Sequence, residues 1–197
     1  FNRSSDIFYP AHYAGFSASY NLDTRDDQYR PSGGMLWKNE ADIFVNLDNE
    51  KDFTRLHSEL SFYAGLSKFR HSVLAFRAGG TVNFGDYYFY HAANLGRSQN
   101  LRGYRKNRYS GNKNFYVNTE LRLRLLKFHN YIFNGELGIL GYFDNGRVWQ
   151  EGEASKKWHQ GMGGGLWLAP FSKFAVNLTY NYSVENQMFE LHMNYLF

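Results

Sequence analysis

The chain has 197 residues, a formal net charge of +4 and no cysteine. Its length suits one domain, and the mild charge excess does not by itself indicate a nucleic-acid-binding protein. The lack of thiols excludes disulfides, thiolate metal sites and cysteine nucleophiles. No apolar run is long enough for a transmembrane helix. The first residues, FNRSSDIF, contain neither an initiator methionine nor a signal region, so we expect a mature product or a piece of a longer protein.

Alternating apolar and polar residues predict nine β-strands and an all-β fold. Before a long basic segment, the strands are AGFSASYNL from Ala14, MLWKNEADIFVNL from Met35, RLHSELSFYAGL from Arg55 and SVLAFRAGGTVNF from Ser72. After it, they are NFYVNTELRLRLL from Asn114, YIFNGELGILGYFDNG from Tyr131, GMGGGLWLAP from Gly161, KFAVNLTYNYS from Lys173 and QMFELHMNYLF from Gln187.

Two architectures could use this alternation. In a β-sandwich the apolar faces form the core, whereas in a transmembrane barrel they contact lipid and the polar faces line the lumen. The chain is 19% aromatic, and its polar strand faces carry opposite charges and glycines, which favours an antiparallel transmembrane β-barrel. Because bacterial barrels of this kind have even strand numbers, nine strands predict a part of a larger barrel.

The longest connection, about residues 85–113, contains the basic and aromatic stretch NLRGYRKNRYSG from Asn100 to Gly111. A loop of this length in a compact domain is usually functional. Its charges and rings could serve nucleic-acid binding, phosphate binding or a contact within the fold. Nucleic-acid binding is the weakest of these, because stacking would require an exposed groove.

Several motifs occur together in an order that resembles the Omp85 superfamily. They are LRGYR in the long loop, NTELRLRLL in the next strand, GYFDNGRVW, GMGGGL and a closing strand that ends in Phe197. The resemblance implies a sixteen-stranded barrel of the bacterial outer membrane, of which residues 1–197 would form about the last nine strands. It also implies that the first part of the barrel and the periplasmic POTRA domains are missing from this chain.

The long loop at about residues 85–113 carries Arg102, Gly103 and Tyr104, and we call it the RGY loop. The alternation of inward and outward residues along the strands gives this loop a specific set of partners. Glu120 and Asp144 fall on polar faces of adjacent predicted strands, so both carboxylates should point into the lumen. In the family the RGY arginine meets such carboxylates, which makes Arg102 the expected partner of both. A guanidinium can bind carboxylates bidentately, and Gly103 permits close backbone approach. We call Arg102, Gly103, Tyr104, Glu120 and Asp144 the lumenal loop lock. The alternative is that these are ordinary solvated charges in a wide lumen.

The closing strand has apolar residues at every second position. These are Phe189, Leu191, Met193, Tyr195 and Phe197. The pattern looks like the C-terminal β-signal by which barrel proteins are recognised for insertion, and it is equally compatible with a plain lipid-facing strand. The glycines of Gly161–Gly165 lack the lysine and helix of a phosphate loop, which favours tight packing or strand bending. The seven histidines show no metal-ligand spacing.

These features favour a protein that assembles, inserts or translocates other proteins at the outer membrane, with no catalytic residue, metal or cofactor. The expected partners are outer-membrane lipid, client proteins and accessory lipoproteins, and not nucleic acid. Three alternatives remain. They are a two-partner-secretion transporter, a passive channel with the basic loop as its constriction, and the barrel of a fused patatin-like or phosphoesterase protein.

Overall fold

The computed structural model describes residues 11–48, 51–66, 72–97, 100–129, 134–152, 156–170, 174–193, 195 and 197. These residues form eleven strands: β1 (Tyr13–Asp23), β2 (Gly34–Asn46), β3 (Phe53–Leu66), β4 (Ser72–Gly85), β5 (Ala93–Leu95), β6 (Tyr109–Gly111), β7 (Lys113–His129), β8 (Asn134–Trp149), β9 (His159–Pro170), β10 (Val176–Ser183) and β11 (Gln187–Met193). A 3₁₀ turn spans Phe89–His91. Within these residues, no helix has the length and apolar content to cross a membrane. The predicted strand starts at Tyr131 and Lys173 lie outside the described residues.

Nine of the strands form one antiparallel sheet in the order β1-β2-β3-β4-β7-β8-β9-β10-β11. The prediction of nine consecutive antiparallel strands is therefore confirmed. Within the described part of the chain, the two short strands β5 and β6 pair with each other and not with the large sheet, inside the connection from β4 to β7. This arrangement is not a sandwich of two large sheets. In the described chain β1 and β11 are the edges of an open sheet.

The distribution of apolar and polar side chains over the two faces of the sheet is the reverse of that in a soluble protein. Its outer face exposes large apolar side chains, among them Phe62, which is 52% exposed, and Phe189, which is 73% exposed. Its inner face buries polar groups, and Asn118 and Asp144 are both 0% exposed. A continuous apolar surface over every strand would be an aggregation hazard in water and is the expected surface in lipid. The outer face is therefore the lipid-facing surface of a barrel wall.

Parity along β7 follows the prediction as far as a bulge. Tyr116, Asn118, Glu120 and Arg122 are buried on the inner face, while Phe115 and Leu121 are exposed. The register with β8 then shifts between Arg124 and Leu126, so that the consecutive residues Leu125 and Leu126 are both exposed. A bulge adds one residue to a strand, and it explains how two adjacent leucines reach the same face.

The two ends of the sheet carry different connections. The connections β2–β3, β4–β7, β8–β9 and β10–β11 meet one end of the sheet, here called the long-loop end, and the connections β1–β2, β3–β4, β7–β8 and β9–β10 meet the other, here called the short-turn end. The connection from β4, which ends at Gly85, to β7, which begins at Lys113, carries the RGY motif. Its described residues include the 3₁₀ turn and the β5–β6 hairpin, and Leu95, Leu101 and Tyr104 pack against Tyr116 of the inner face.

The C-terminal residues leave the expected alternation after Met193, where β11 and its pairing with β10 end. The Tyr195 ring packs edge-on against Trp167, with ring centroids 6.1 Å apart, and both lie in an apolar cluster of the inner face. Phe197 also lies on the inner face, where Arg122 donates a 2.8 Å hydrogen bond to its backbone oxygen. Without a strand partner to set their direction, these two aromatic residues turn toward buried guanidiniums.

Candidate functional site

The RGY loop is held to the sheet by a set of asparagines. Asn114 on β7 donates a 2.8 Å hydrogen bond to the carbonyl of Asn94 on β5, and Asn118 donates a 2.9 Å bond to the carbonyl of Asn100. Asn100 also accepts a bond from the amide of Gly96 and donates one to the carbonyl of Asn94. These bonds satisfy buried backbone groups that would otherwise be costly inside the barrel. They fix the part of the chain that leads into the turn carrying Arg102.

Arg102 contacts Asp144 through three hydrogen bonds. Its backbone amide donates to Oδ2 at 3.0 Å, Nε donates to Oδ2 at 2.8 Å, and Nη2 donates to Oδ1 at 2.8 Å. The guanidinium therefore grips the carboxylate bidentately while the backbone adds a third donor. Planar guanidinium groups form this fork, which a lysine ammonium cannot reproduce.

The same guanidinium also reaches Glu120, to which its Nη1 donates a short hydrogen bond. Glu120 forms a second ion pair with Arg122, whose Nε donates a 2.7 Å hydrogen bond to Oε1 of Glu120. Two carboxylates thus face two guanidiniums in a row, and each of the four side chains is at most 5% exposed. Burial would lower the pKa of Arg102, but the charges and hydrogen bonds of Asp144 and Glu120 raise it above its ordinary value. The arginine therefore remains a cation in this buried position.

The aromatic ring of Tyr142 completes the arginine's surroundings. The guanidinium carbon of Arg102 lies 3.4 Å from the ring centroid, which is a close cation–π contact. The Tyr142 hydroxyl donates a short hydrogen bond to Asn181, and Asn181 in turn donates to Glu190 on β11. Through this chain of contacts, the arginine is linked to the last two strands of the sheet.

Gly103 and Tyr104 join the loop to β9 and β10. Gly103 has a φ of +83°, a conformation that disfavours side chains, and its carbonyl accepts a 2.7 Å bond from the Ser183 hydroxyl. The Tyr104 hydroxyl donates a 2.9 Å bond to the carbonyl of Gln160. A Cβ at Gly161 would lie 2.1 Å from the carbonyl oxygen of Arg102. The first glycine of GMGGG therefore leaves room for the loop backbone, as the tight-packing interpretation predicts.

The outer part of the loop makes a second, exposed ion pair. Arg108 donates two hydrogen bonds to Glu185 in the β10–β11 turn, at 2.5 and 3.0 Å, and the Tyr109 hydroxyl donates another at 2.6 Å. The hydrogen bonds from Arg108 and Tyr109 lower the pKa of Glu185 below its ordinary value. The Arg108 side chain is 48% exposed, so this ion pair is open to solvent. Arg105 and Lys106 are exposed.

The structure brings all five lumenal loop lock residues together and adds others that the sequence reading did not assign. The added residues are Arg122, Tyr142, Asn118, Asn100, Ser183 and Gly161. Parity indicates that the strand residues point inward, but it gives no information about which of them the loop touches. Phe189, Leu191 and Met193 of the predicted β-signal lie exposed on the outer face, whereas Tyr195 and Phe197 lie inside. Among the described residues, no group of three or more acidic or histidine side chains could hold a metal ion.

Comparison with known proteins identifies the family. Residues 11–195 match the Omp85 superfamily domain. The fold is similar to "The crystal structure of BamA from Haemophilus ducreyi lacking POTRA domains 1-3", with a TM-score of 0.70 and 15% sequence identity. The match covers 92% of this chain and 41% of that chain, so this chain spans less than half the length of its structural relative. A search of curated proteins finds no match.

The domain match and the shared fold agree with the inside-out sheet, the anchored RGY loop and the order of the motifs along the chain. The barrel of this family serves the assembly or transport of other proteins and is not an enzyme. This chain belongs to the Omp85 superfamily.

Proposed function

We propose that this chain forms the C-terminal part of an outer-membrane barrel that inserts or translocates other proteins, and that Arg102 locks the RGY loop inside its lumen. The observation that carries the proposal is the bidentate contact of Arg102 with Asp144, made across 42 residues of sequence and fully buried. A solvated lumen charge would have no need for two carboxylates, an aromatic ring and a backbone donor. The alternative of ordinary solvated charges is therefore disfavoured.

The physical role of the lock follows from the cost of breaking it. When the loop leaves the wall, the buried Asp144 carboxylate loses its cationic partner, and an uncompensated buried charge of this kind costs about 3–5 kcal/mol. The loop also contacts β7, β8, β9 and β10, so its seat holds neighbouring strands in one arrangement. We infer that the lock keeps the barrel wall in the shape that acts on client proteins. Client proteins, outer-membrane lipid and accessory lipoproteins are the partners in this proposal.

Client insertion by the purified protein in liposomes tests the function. An unfolded small outer-membrane barrel is added, and its folding is followed by the mobility shift that folded barrels show on unheated gels. The native protein should accelerate folding above the rate in empty liposomes, and Arg102→Ala should remove most of the acceleration. Arg105→Ala is the matched control, because Arg105 is an exposed arginine of the same loop. Client folding at the empty-liposome rate with the native protein would refute the function.

The closing strand carries a second part of the proposal. Phe189, Leu191 and Met193 are each at least 70% exposed on the outer face. We infer that they, with Tyr195 and Phe197, act as the β-signal for insertion of this barrel itself. Phe197→Ala should slow the chain's own assembly in cells while Val184→Ala, a change at an exposed turn residue, should not. Equal assembly rates for both variants would contradict the signal.

A further inference from the structure

The connection between β1 and β2, residues 24–33, carries a second arginine into the lumen from the opposite end of the sheet. Arg30 donates a short hydrogen bond to Glu136 on β8, across 106 residues of sequence. Its guanidinium carbon also lies 5.8 Å from the ring centroid of Trp167 on β9, which is a cation–π contact. Arg30 is 19% exposed and Glu136 8% exposed, so this ion pair is largely removed from water.

The segment is ordered by its own side chains, which makes the reach of Arg30 a built feature. The Asp26 carboxylate accepts hydrogen bonds from the amides of Ser32 and Gly33 at 2.8 and 3.1 Å. The Asp27 carboxylate accepts bonds from the amides of Tyr29 and Arg30 at 2.7 and 2.8 Å. Aspartates bond backbone amides of the following residues in this way in tight turns. Arg30 is therefore presented from a rigid turn.

The far wall offers a matched receptor. Arg124 on β7 donates a 2.7 Å hydrogen bond to Oε1 of Glu136, while Arg30 occupies Oε2, so the carboxylate bridges two guanidiniums. Trp167 is 3% exposed and is held by a 3.1 Å bond from its indole nitrogen to the carbonyl of Ile139. Tyr195 packs edge-on against the same indole. Four groups from β7, β8, β9 and the C-terminal tail thus surround the tip of the β1–β2 segment.

Both arginine anchors stand on one strand pair. β7 presents Glu120 and Arg124, and β8 presents Asp144 and Glu136, which places the Arg102 site toward the long-loop end and the Arg30 site toward the short-turn end. We propose that residues 24–33 are a second lumen closure, a strap that Arg30 fastens to Glu136 across the short-turn mouth. The RGY loop then occupies the lumen from the long-loop side, and opening a path through the barrel requires the release of Arg30 as well as of the loop. The inference does not depend on which client proteins the barrel handles.

The two partners of Glu136 make a clean test possible. Removal of Arg30 leaves Glu136 paired with Arg124, so Arg30→Ala creates no unpaired buried carboxylate and should leave the barrel folded. Arg25→Ala is the matched control. Arg25 lies in the same segment, but it pairs with Asp23, two residues away, and its guanidinium also donates to the carbonyl of Gln28. The two variants therefore differ in whether the contact crosses the lumen.

The readout is ionic current through the protein in planar bilayers. Arg30→Ala should raise the mean current at least about twofold, because a closed mouth conducts only for the fraction of time that it is open. Arg25→Ala should leave the current at the native value. Equal currents in the native protein and both variants would overturn the proposal. As a control, the mobility of unheated samples on gels reports whether each variant is folded.

A cross-link tests the same contact without depending on a single deletion. The chain has no cysteine, so Arg30→Cys with Glu136→Cys gives a unique thiol pair. A short bis-maleimide should join the two thiols and return the current to the native level or below it. If the reagent modifies each thiol singly and does not join the two, the segment does not lie across the mouth and the proposal is overturned. A cross-linked protein whose current stays raised would do the same.

Discussion

Arg102 and Asp144 are joined by three hydrogen bonds, of which two come from the guanidinium and one from the arginine's own backbone amide. The backbone bond fixes the loop and not only its side chain. An arginine side chain alone could follow the carboxylate while the loop moved, but the amide at 3.0 Å requires the turn itself to lie against β8. The loop therefore cannot leave β8 without breaking its ion pair with Asp144.

A double-mutant cycle should report this coupling. Arg102→Ala and Asp144→Asn should each destabilise the protein by about 3–5 kcal/mol, because each leaves a buried charge without its main partner. The double variant should be little worse than either single variant, since both remove the same contact. Urea unfolding from lipid vesicles measures the three free energies.

The cycle has a control within the same loop. Arg105→Ala with Asp144→Asn should give additive effects, because Arg105 is exposed and does not contact Asp144. Additive losses for Arg102 and Asp144 would count against the direct pairing. In Arg102→Ala, Glu120 keeps its bond to Arg122. The expected loss of unfolding free energy therefore comes from the Asp144 contact and only part of the Glu120 contact.

Gly161→Ala should displace the loop without changing any charge. A Cβ at this position would overlap the carbonyl oxygen of Arg102 at 2.1 Å, and a backbone atom cannot move aside without moving the turn. We expect a loss of about 1–3 kcal/mol, the usual cost of overpacking a tight site. Gly141→Ala is the control, because the nearest atom to its Cβ would be 4.0 Å away. Equal unfolding free energies for the two variants would mean that the loop does not rest on β9.

The wall of the barrel could be predicted from sequence because a strand has a period of two. Once Leu121 is assigned to the outer face, Glu120 and Arg122 must lie inside, and the nine-stranded order follows from consecutive hairpins. The bulge at Arg124 and Leu126 was missed because a single added residue leaves the pattern intact on either side of it. Only the adjacent leucines Leu125 and Leu126 signal it.

Contacts across the lumen could not be predicted, since they join residues far apart in sequence with no periodic relation. Parity puts Arg122 and Tyr142 on the inner face, but which distant residue each one meets, Phe197 for Arg122 and Arg102 for Tyr142, depends on the paths of the tail and the loop. The Arg102 pairing was reached only through the motif order of the family. The Arg30 contact has no such motif, and the tail residues Tyr195 and Phe197 lie beyond the last paired strand.

The exposed pair of Arg108 and Glu185 should make the outer part of the loop sensitive to acid. The hydrogen bonds from Arg108 and Tyr109 lower the pKa of Glu185 below the ordinary glutamate value. A lowered carboxylate pKa means that the contribution of the pair is present above the ordinary pKa and is lost as the pH falls through the lowered one. The protection factors of the amides of residues 104–109, which correct hydrogen exchange for its intrinsic pH dependence, should fall over that acid range. In Glu185→Gln these protection factors should be low and independent of pH there, and a native-like acid response in this variant would exclude Glu185 as the group responsible.

Two neighbouring residues on β1 test whether the outer face meets lipid. Ala18 and Ser19 lie at the middle of the strand on opposite faces, and both are exposed in the structure. A sheet in water would tolerate an arginine at either position. In a membrane, Ala18→Arg puts a charge near the bilayer midplane and should cost about 2–4 kcal/mol, whereas Ser19→Arg points into the lumen opposite Glu40 and should cost little. The comparison is made by unfolding each variant from lipid vesicles. If both substitutions have the same small effect, the outer face of β1 does not contact lipid.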